Sequence, residues 1–188
     1  MDIREILHIK TGGHWLVTPS TDKTIFCREM FSEEHNDIKK MIFQFSEDRI
    51  FPNVQNIEKL DEDLCRSIMR EMGELGLIGI DTPEEFGGTD LDKITACLIT
   101  EGVGWGGSSS FGCIFGVQTG IGSLGIVFFG TPEQKKKYLP KLITGEWIAA
   151  YGLTEPSAGS DALSAKTTAF LSDDGSHYIL NGEKQFIS

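Results

Sequence analysis

The chain has 188 residues and carries 28 Asp and Glu against 17 Lys and Arg, a formal net charge of −11. That length fits one ordinary domain, or one domain and part of a second, and a composition of 39% hydrophobic and 24% charged residues is that of a globular protein. The acidic balance excludes nucleic acid as a partner, because phosphate neutralisation needs clustered Lys and Arg, but it leaves small anionic ligands open, since a few local backbone N–H groups can bind a phosphate.

Residues 1–31 read as an irregular N-terminal extension, broken by Gly12-Gly13 and Pro19-Ser20-Thr21-Asp22. A helix is expected to start at Ser32, whose side chain can cap, with Glu33 and Glu34 near the positive helix end. Ile38, Met41, Ile42 and Phe45 then share one face. Pro52 should end or kink this helix. Asp61 opens a second, with Leu64, Ile68, Met72 and Leu75 inward and Gly76 as its stop. Residues 82–88, Thr-Pro-Glu-Glu-Phe-Gly-Gly, form a loop.

Residues 102–132 hold no Asp, Glu, Lys or Arg. Gly112, Gly116 and Gly120 have the G-x-x-x-G spacing of membrane helices, but Gln118, Thr119 and several Ser and Gly residues interrupt the run of about 18 apolar residues that a span needs. Gly102-x-Gly104-x-x-Gly107 matches a dinucleotide fingerprint, yet no βαβ pattern surrounds it. The favoured reading is a buried central helix whose glycines admit close neighbours. Thr131-Pro132-Glu133-Gln134 then has the form of a capping box with proline in the first turn, and Gly145 closes that helix. Beyond it the pattern turns to strands, at 147–154, 165–171 and 177–180, with a turn at Asp173-Asp174-Gly175. Asn181-Gly182 signals a hairpin leading into a strand at 183–188, and the chain is expected to stop inside that element.

The cysteines, Cys27, Cys65, Cys97 and Cys113, lie far apart, and neither they nor the four histidines have metal-ligand spacing. No disulfide or metal is expected. The first ten residues lack an apolar stretch after a basic start, so no secretory signal is expected and the default setting is cytoplasmic.

The segment Tyr151-Gly-Leu-Thr-Glu-Pro-Ser-Ala-Gly-Ser-Asp161 combines features that suit an anionic, planar ligand. Thr154, Ser157 and Ser160 offer hydroxyls. Gly159 allows close backbone approach and positive φ, Pro156 sets a turn, and the turn's N–H groups can form an anion-binding nest. On these grounds alone a structural turn is equally good. Gly152-Leu-Thr-Glu155-x-x-Ala158-Gly159-Ser160-Asp161 resembles the signature of the acyl-CoA dehydrogenase family. Residues 133–147, the stretch Glu71-x-Gly73-Glu74-Leu-Gly76-Leu-Ile-Gly79, residues 83–88 and Tyr178-Ile-Leu-Asn-Gly-Glu-Lys-Gln-Phe-Ile-Ser188 are also similar to family segments, in the family's order. The N-terminal extension resembles most the very-long-chain branch.

The resemblance implies an α+β fold: a helical N-terminal domain over 32–146, then the first strands of a β-barrel-like middle domain over 147–188, with the family's C-terminal helical domain missing. It implies FAD as cofactor, with Tyr151, Gly152, Leu153, Thr154, Gly159 and Ser160 lining the flavin, partly through backbone atoms, and Phe186, Ile187 and Ser188 matching the second flavin-contacting strand. Ser160 also matches a position that touches the acyl-CoA substrate. Phe186 stands where Trp is common, which keeps an aromatic plate but loses the indole donor. Ser188 replaces Thr, and Gly152 stands where Cys is frequent. The family reaction is α,β-dehydrogenation of an acyl-CoA thioester in fatty-acid β-oxidation, with electron-transfer flavoprotein as acceptor and subunits in a homo-oligomer. The family's carboxylate base falls beyond Ser188, so no catalytic residue is assigned in this chain; Glu101 is expected to be a helix residue and Glu155 part of the signature turn. The expectation is a family member inactive as this isolated chain, with flavin binding weak or absent because much of the family's flavin site is missing. An acyl-CoA oxidase of the same fold and a non-catalytic helical interaction module are the alternatives.

Overall fold

The computed structural model describes residues 28–187; the expectations for residues 1–27 and for Ser188 lie outside the described residues. The first long helix, α1 (Glu33–Phe45), begins at Ser32, whose hydroxyl accepts from the His35 N–H, while the His35 ring accepts from the Ser32 N–H. A histidine thus does what Glu or Gln usually does in a capping box. Pro52 does not end the helical path. The chain passes through a π turn (Ser46–Ile50) and a 3-10 turn (Phe51–Asn53) into the short α2 (Val54–Ile57). Helix α3 (Glu62–Glu74) is capped by Asp61 and stops at Gly76, whose φ of +73° favours glycine. Of its expected inward residues, Ile68 and Met72 are fully buried, but Leu75 is 46% exposed because it already belongs to the turn that leaves the helix.

Helix α4 (Lys93–Trp105) packs on α1, and here two glycines are needed. A Cβ on Gly102 would lie 2.6 Å from Ile42 and one on Gly106 2.6 Å from Ile50. The apolar run is not one central helix. After the end of α4 it folds into α5 (Ser109–Thr119) and α6 (Leu124–Phe129), with a break in which the Gly122 N–H donates to Val117 O at 2.9 Å. Ser109–Phe129 is long and apolar enough to cross a membrane by length and composition, but the chain turns within it. Gly112 and Gly116 have no neighbour within 4 Å of an added Cβ, so their spacing makes no close helix contact among the described residues. The Gly102–Gly107 pattern closes a helix rather than following a strand, and so lacks the strand–turn–helix context of a dinucleotide site.

Helix α7 (Pro132–Ile143) carries the expected capping box between Thr131 and Gln134 and ends at Gly145, φ +69°. One contiguous core joins α1 to α5 around Ile42, Ile68, Met69, Met72, Ile99 and Phe111. Each such fully buried side chain contributes ~1.5–3 kcal/mol.

Among the described residues the sheet has two strands. β1 (Thr168–Leu171) pairs antiparallel with β2 (Tyr178–Asn181), with Phe170 opposite Ile179. Asp174 shapes the connecting turn by accepting from Ser172 and Ser176. Neither 147–154 nor 183–187 is a strand. A strand is defined by its pairing, and both segments find other partners for their backbone. The Asn181-Gly182 pair makes no hairpin turn; its glycine instead lets Thr167 approach, 2.7 Å from an added Cβ. The α+β class stands: helices first, then a small antiparallel sheet.

Candidate functional site

The polar segment leaves the helical body after Trp147 and closes on itself at a turn. Glu155 and Ala158 exchange both backbone hydrogen bonds, at 3.0 and 3.1 Å, with Pro156 at the position where its fixed φ suits a turn. Lys184 ties this turn to the chain beyond β2. Its ammonium donates to Leu153 O at 3.1 Å and to the Glu155 carboxylate at 2.9 Å. One residue on, the Gln185 N–H donates to Thr154 O at 2.8 Å. Gly152 faces the same wall: an added Cβ would lie 3.7 Å from the Lys184 stem and 3.9 Å from Ile187. The two stretches expected to share one ligand, 151–160 and 186–187, are therefore brought side by side by the residues around them.

Glu155 is the centre of that connection. It is buried and accepts from the Lys166 and Thr167 N–H groups, at 2.5 and 3.1 Å, and from the Thr167 hydroxyl at 2.5 Å, besides Lys184. The Thr167 hydroxyl first, then the Lys166 N–H and the Lys184 ammonium, push its carboxyl down to about 2. A carboxylate held by four donors and so stabilised in its ionised form is a poor general base. Glu101 lies on the exposed side of α4, 3.8 Å from Lys39. The sequence reading placed Glu155 in the turn but missed its role as hub. The one sequence signal for that role is Lys184, a single cation close behind β2.

The groups expected to face a ligand are left open. Tyr151 is 46% and Phe186 85% exposed. Phe186 holds a φ of +56°, an uncommon conformation for an aromatic residue. Among the described residues, the hydroxyls of Thr154, Ser157 and Ser160 and the N–H groups of Ser157, Gly159 and Ser160 have no partner. Gly159 departs from expectation: its φ is not positive, and nothing lies within 4 Å of an added Cβ. Two aromatic plates beside a row of unpaired donors suit a planar, anionic group such as a flavin. No cluster of three His, Cys, Asp or Glu side chains exists among the described residues to hold a metal.

An apolar cavity of about 390 Å³ lies between the loop after α3 and helices α4 and α5, lined by Leu77, Ile80, Ile99, Phe115, Gly116 and Thr119 among others. Its α5 wall connects directly to the polar segment through Gln118. That fully buried amide donates to Leu142 O at 2.7 Å and Trp147 O at 2.9 Å, and accepts from the Ala149 N–H at 2.7 Å.

This arrangement of helices and hairpin is the front part of the acyl-CoA dehydrogenase fold. It superposes on a crystal structure of an acyl-CoA dehydrogenase complexed with FAD from Bacillus anthracis with a TM-score of 0.83, at 50% identity, over 87% of this chain and 28% of that one. The family model for the acyl-CoA dehydrogenase N-terminal domain matches residues 32–146, and that for the middle domain matches residues 150–188. The chain belongs to the acyl-CoA dehydrogenase family. A probable acyl-CoA dehydrogenase of Bacillus subtilis (strain 168) is 48% identical over 180 residues, which are 96% of this chain and 30% of that protein. The very long-chain specific acyl-CoA dehydrogenase, mitochondrial, of Macaca fascicularis is 38% identical over 172 residues, 90% of this chain and 26% of that protein. The chain thus spans less than a third of the length of either relative.

Proposed function

We propose that these residues supply one side of the flavin site of an FAD-dependent acyl-CoA dehydrogenase, divided into a helical domain over 32–146 and the start of the middle domain over 147–188. The observation that carries this reading is the latch of Lys184, Glu155 and the Thr154–Gln185 hydrogen bond. It joins two stretches of the family signature and leaves their aromatic and hydroxyl groups unpaired. Tyr151 and Phe186 flank the planar ring. Backbone atoms of Gly152, Leu153 and Gly159, and the side chains of Thr154, Ser160, Ile187 and Ser188, complete this wall, and Ser160 also reaches the thioester. FAD, when bound, supplies the hydride-accepting chemistry that turns an acyl-CoA into its α,β-unsaturated product. The chain's own contribution is to bind and orient.

Proton abstraction belongs to a carboxylate outside these 188 residues, so the isolated chain is inactive. Glu155 is fully engaged, and Glu101 is held toward Lys39 on the helical body. An electron-transferring flavoprotein as acceptor, a homo-oligomeric assembly and a cytoplasmic setting complete the proposal. A long acyl chain follows from the resemblance of the N-terminal extension to the very-long-chain branch.

A chimera tests the proposal. Residues 28–187 replace their counterpart in the Bacillus subtilis relative, and bound flavin and acyl-CoA-dependent reduction are measured. The expected protein purifies with one FAD per chain and is reduced by a long-chain acyl-CoA. A folded chimera without flavin contradicts the proposal.

A further inference from the structure

Gln118 occupies a place that the flavin reading does not use. It sits in the last turn of α5, fully buried, in a stretch whose other side chains are apolar or small. Its amide spans Trp147 and Ala149, accepting from the N–H of one and donating to the carbonyl of the other. These are the two groups, two residues apart, that a neighbouring parallel strand would satisfy with one residue. A second bond from the same nitrogen takes the Leu142 carbonyl at the end of α7, which also accepts from the Gly145 N–H at 3.2 Å. Gly122 adds an independent contact four residues on: an added Cβ would stand 2.6 Å from the Ala149 Cβ. Neighbouring residues on the same helix, Phe115, Gly116 and Thr119, line the apolar cavity. Two residues after Ala149 the chain reaches Tyr151, the first residue of the flavin-facing segment.

We propose that Gln118 is a positioning residue: it acts as a one-residue substitute for a strand, fixing where the 147–149 segment lies against α5 and so where Tyr151, Leu153 and Thr154 stand relative to the apolar cavity. It touches neither cofactor nor substrate. The link to flavin rests on the function proposed above; the positioning itself does not. Two part-buried backbone groups, the Trp147 carbonyl and the Ala149 N–H, depend on this amide, and leaving such groups unpaired is costly. The side chain therefore holds the segment more firmly than apolar packing at the same point would.

The test uses the full 188-residue chain and two variants. Gln118→Met keeps length and removes every hydrogen bond; Gly122→Ala leaves Gln118 intact and pushes Ala149 from the second contact. Backbone hydrogen exchange is read residue by residue, and FAD affinity by quenching of flavin fluorescence. Both variants are expected to speed exchange at Ala149 and the Gln185 N–H at least about tenfold, the scale of one lost buried hydrogen bond, with α3 protection unchanged. FAD affinity is expected to fall by a similar factor with the unfolding midpoint of α1–α4 retained. Unchanged exchange at Ala149 and Gln185 in both variants overturns the proposal, as does a uniform rise across all helices in both. If the exchange effect is present but the chimera described above folds without flavin, positioning stands and the flavin function falls.

Discussion

The helical body and the segment beyond Trp147 are held together by different forces. In the body, Ile42, Ile68, Met69, Met72 and Phe111 are fully buried and pack as one core. Beyond it, Phe170, Leu171, Tyr178, Ile179 and Leu180 are all exposed, and a lone two-stranded hairpin is marginal in water. That region is organised instead by two buried polar side chains, Gln118 and Glu155, which serve five backbone groups between them. Apolar burial is non-directional and stabilises the whole unit, whereas hydrogen bonds fix particular atoms in place. The region proposed to present groups to a ligand is the region held by directional bonds.

Substitutions separate the two halves. Met72→Ala removes a fully buried side chain from the body and is expected to lower global stability by about 2–5 kcal/mol in urea unfolding; loss of less than about 1 kcal/mol would mean that this core is not the source of stability. Ser46 lies in the π turn with its hydroxyl buried and unpartnered among the described residues. Ser46→Ala is therefore expected to raise stability, by up to about 1 kcal/mol in the same assay. Glu155→Gln should leave the global midpoint in place and speed exchange at the Lys166 and Thr167 N–H groups alone. A shift of the whole transition would show that the polar latch is part of the core after all.

The pH dependence sharpens the same contrast. The Glu155 carboxyl is pushed down to about 2 from an ordinary value of 4.5, so the folded form binds its proton more weakly than the unfolded form. Its stabilising contribution is complete above the ordinary carboxylate range, falls as pH drops below it, and is lost once pH passes through about 2. Following the Lys166 and Thr167 amide signals by NMR should give a single titration in that acid range in the wild type and none in Glu155→Gln. A midpoint near 4.5 would show that the latch is not formed.

The helical body was largely legible in the sequence. The caps at Ser32, Asp61 and Thr131 lie where local side chain–backbone chemistry puts them, and such signals act over three or four residues. The apolar run was not legible as two helices, because at the break near Gly120–Ser123 the chain lies against Ala149, a residue distant in sequence. Residues 147–154 carry strand-forming side chains but lack a partner strand, since Gln118 satisfies part of their backbone from 31 positions away in sequence. In the candidate site the signature residues were found by resemblance. Gln118 and the hub role of Glu155 were not, because a buried amide in an apolar run and a glutamate in a turn give no local sign of the distant groups they meet.

In the proposed function these residues form part of a flavin site and the base comes from elsewhere in the family fold. The direct measurement equilibrates the 188-residue chain with FAD, mixes it anaerobically with a long-chain acyl-CoA and follows flavin absorbance at about 450 nm, where the oxidised cofactor absorbs. The account predicts an unchanged band. Stoichiometric bleaching by this chain alone would contradict it.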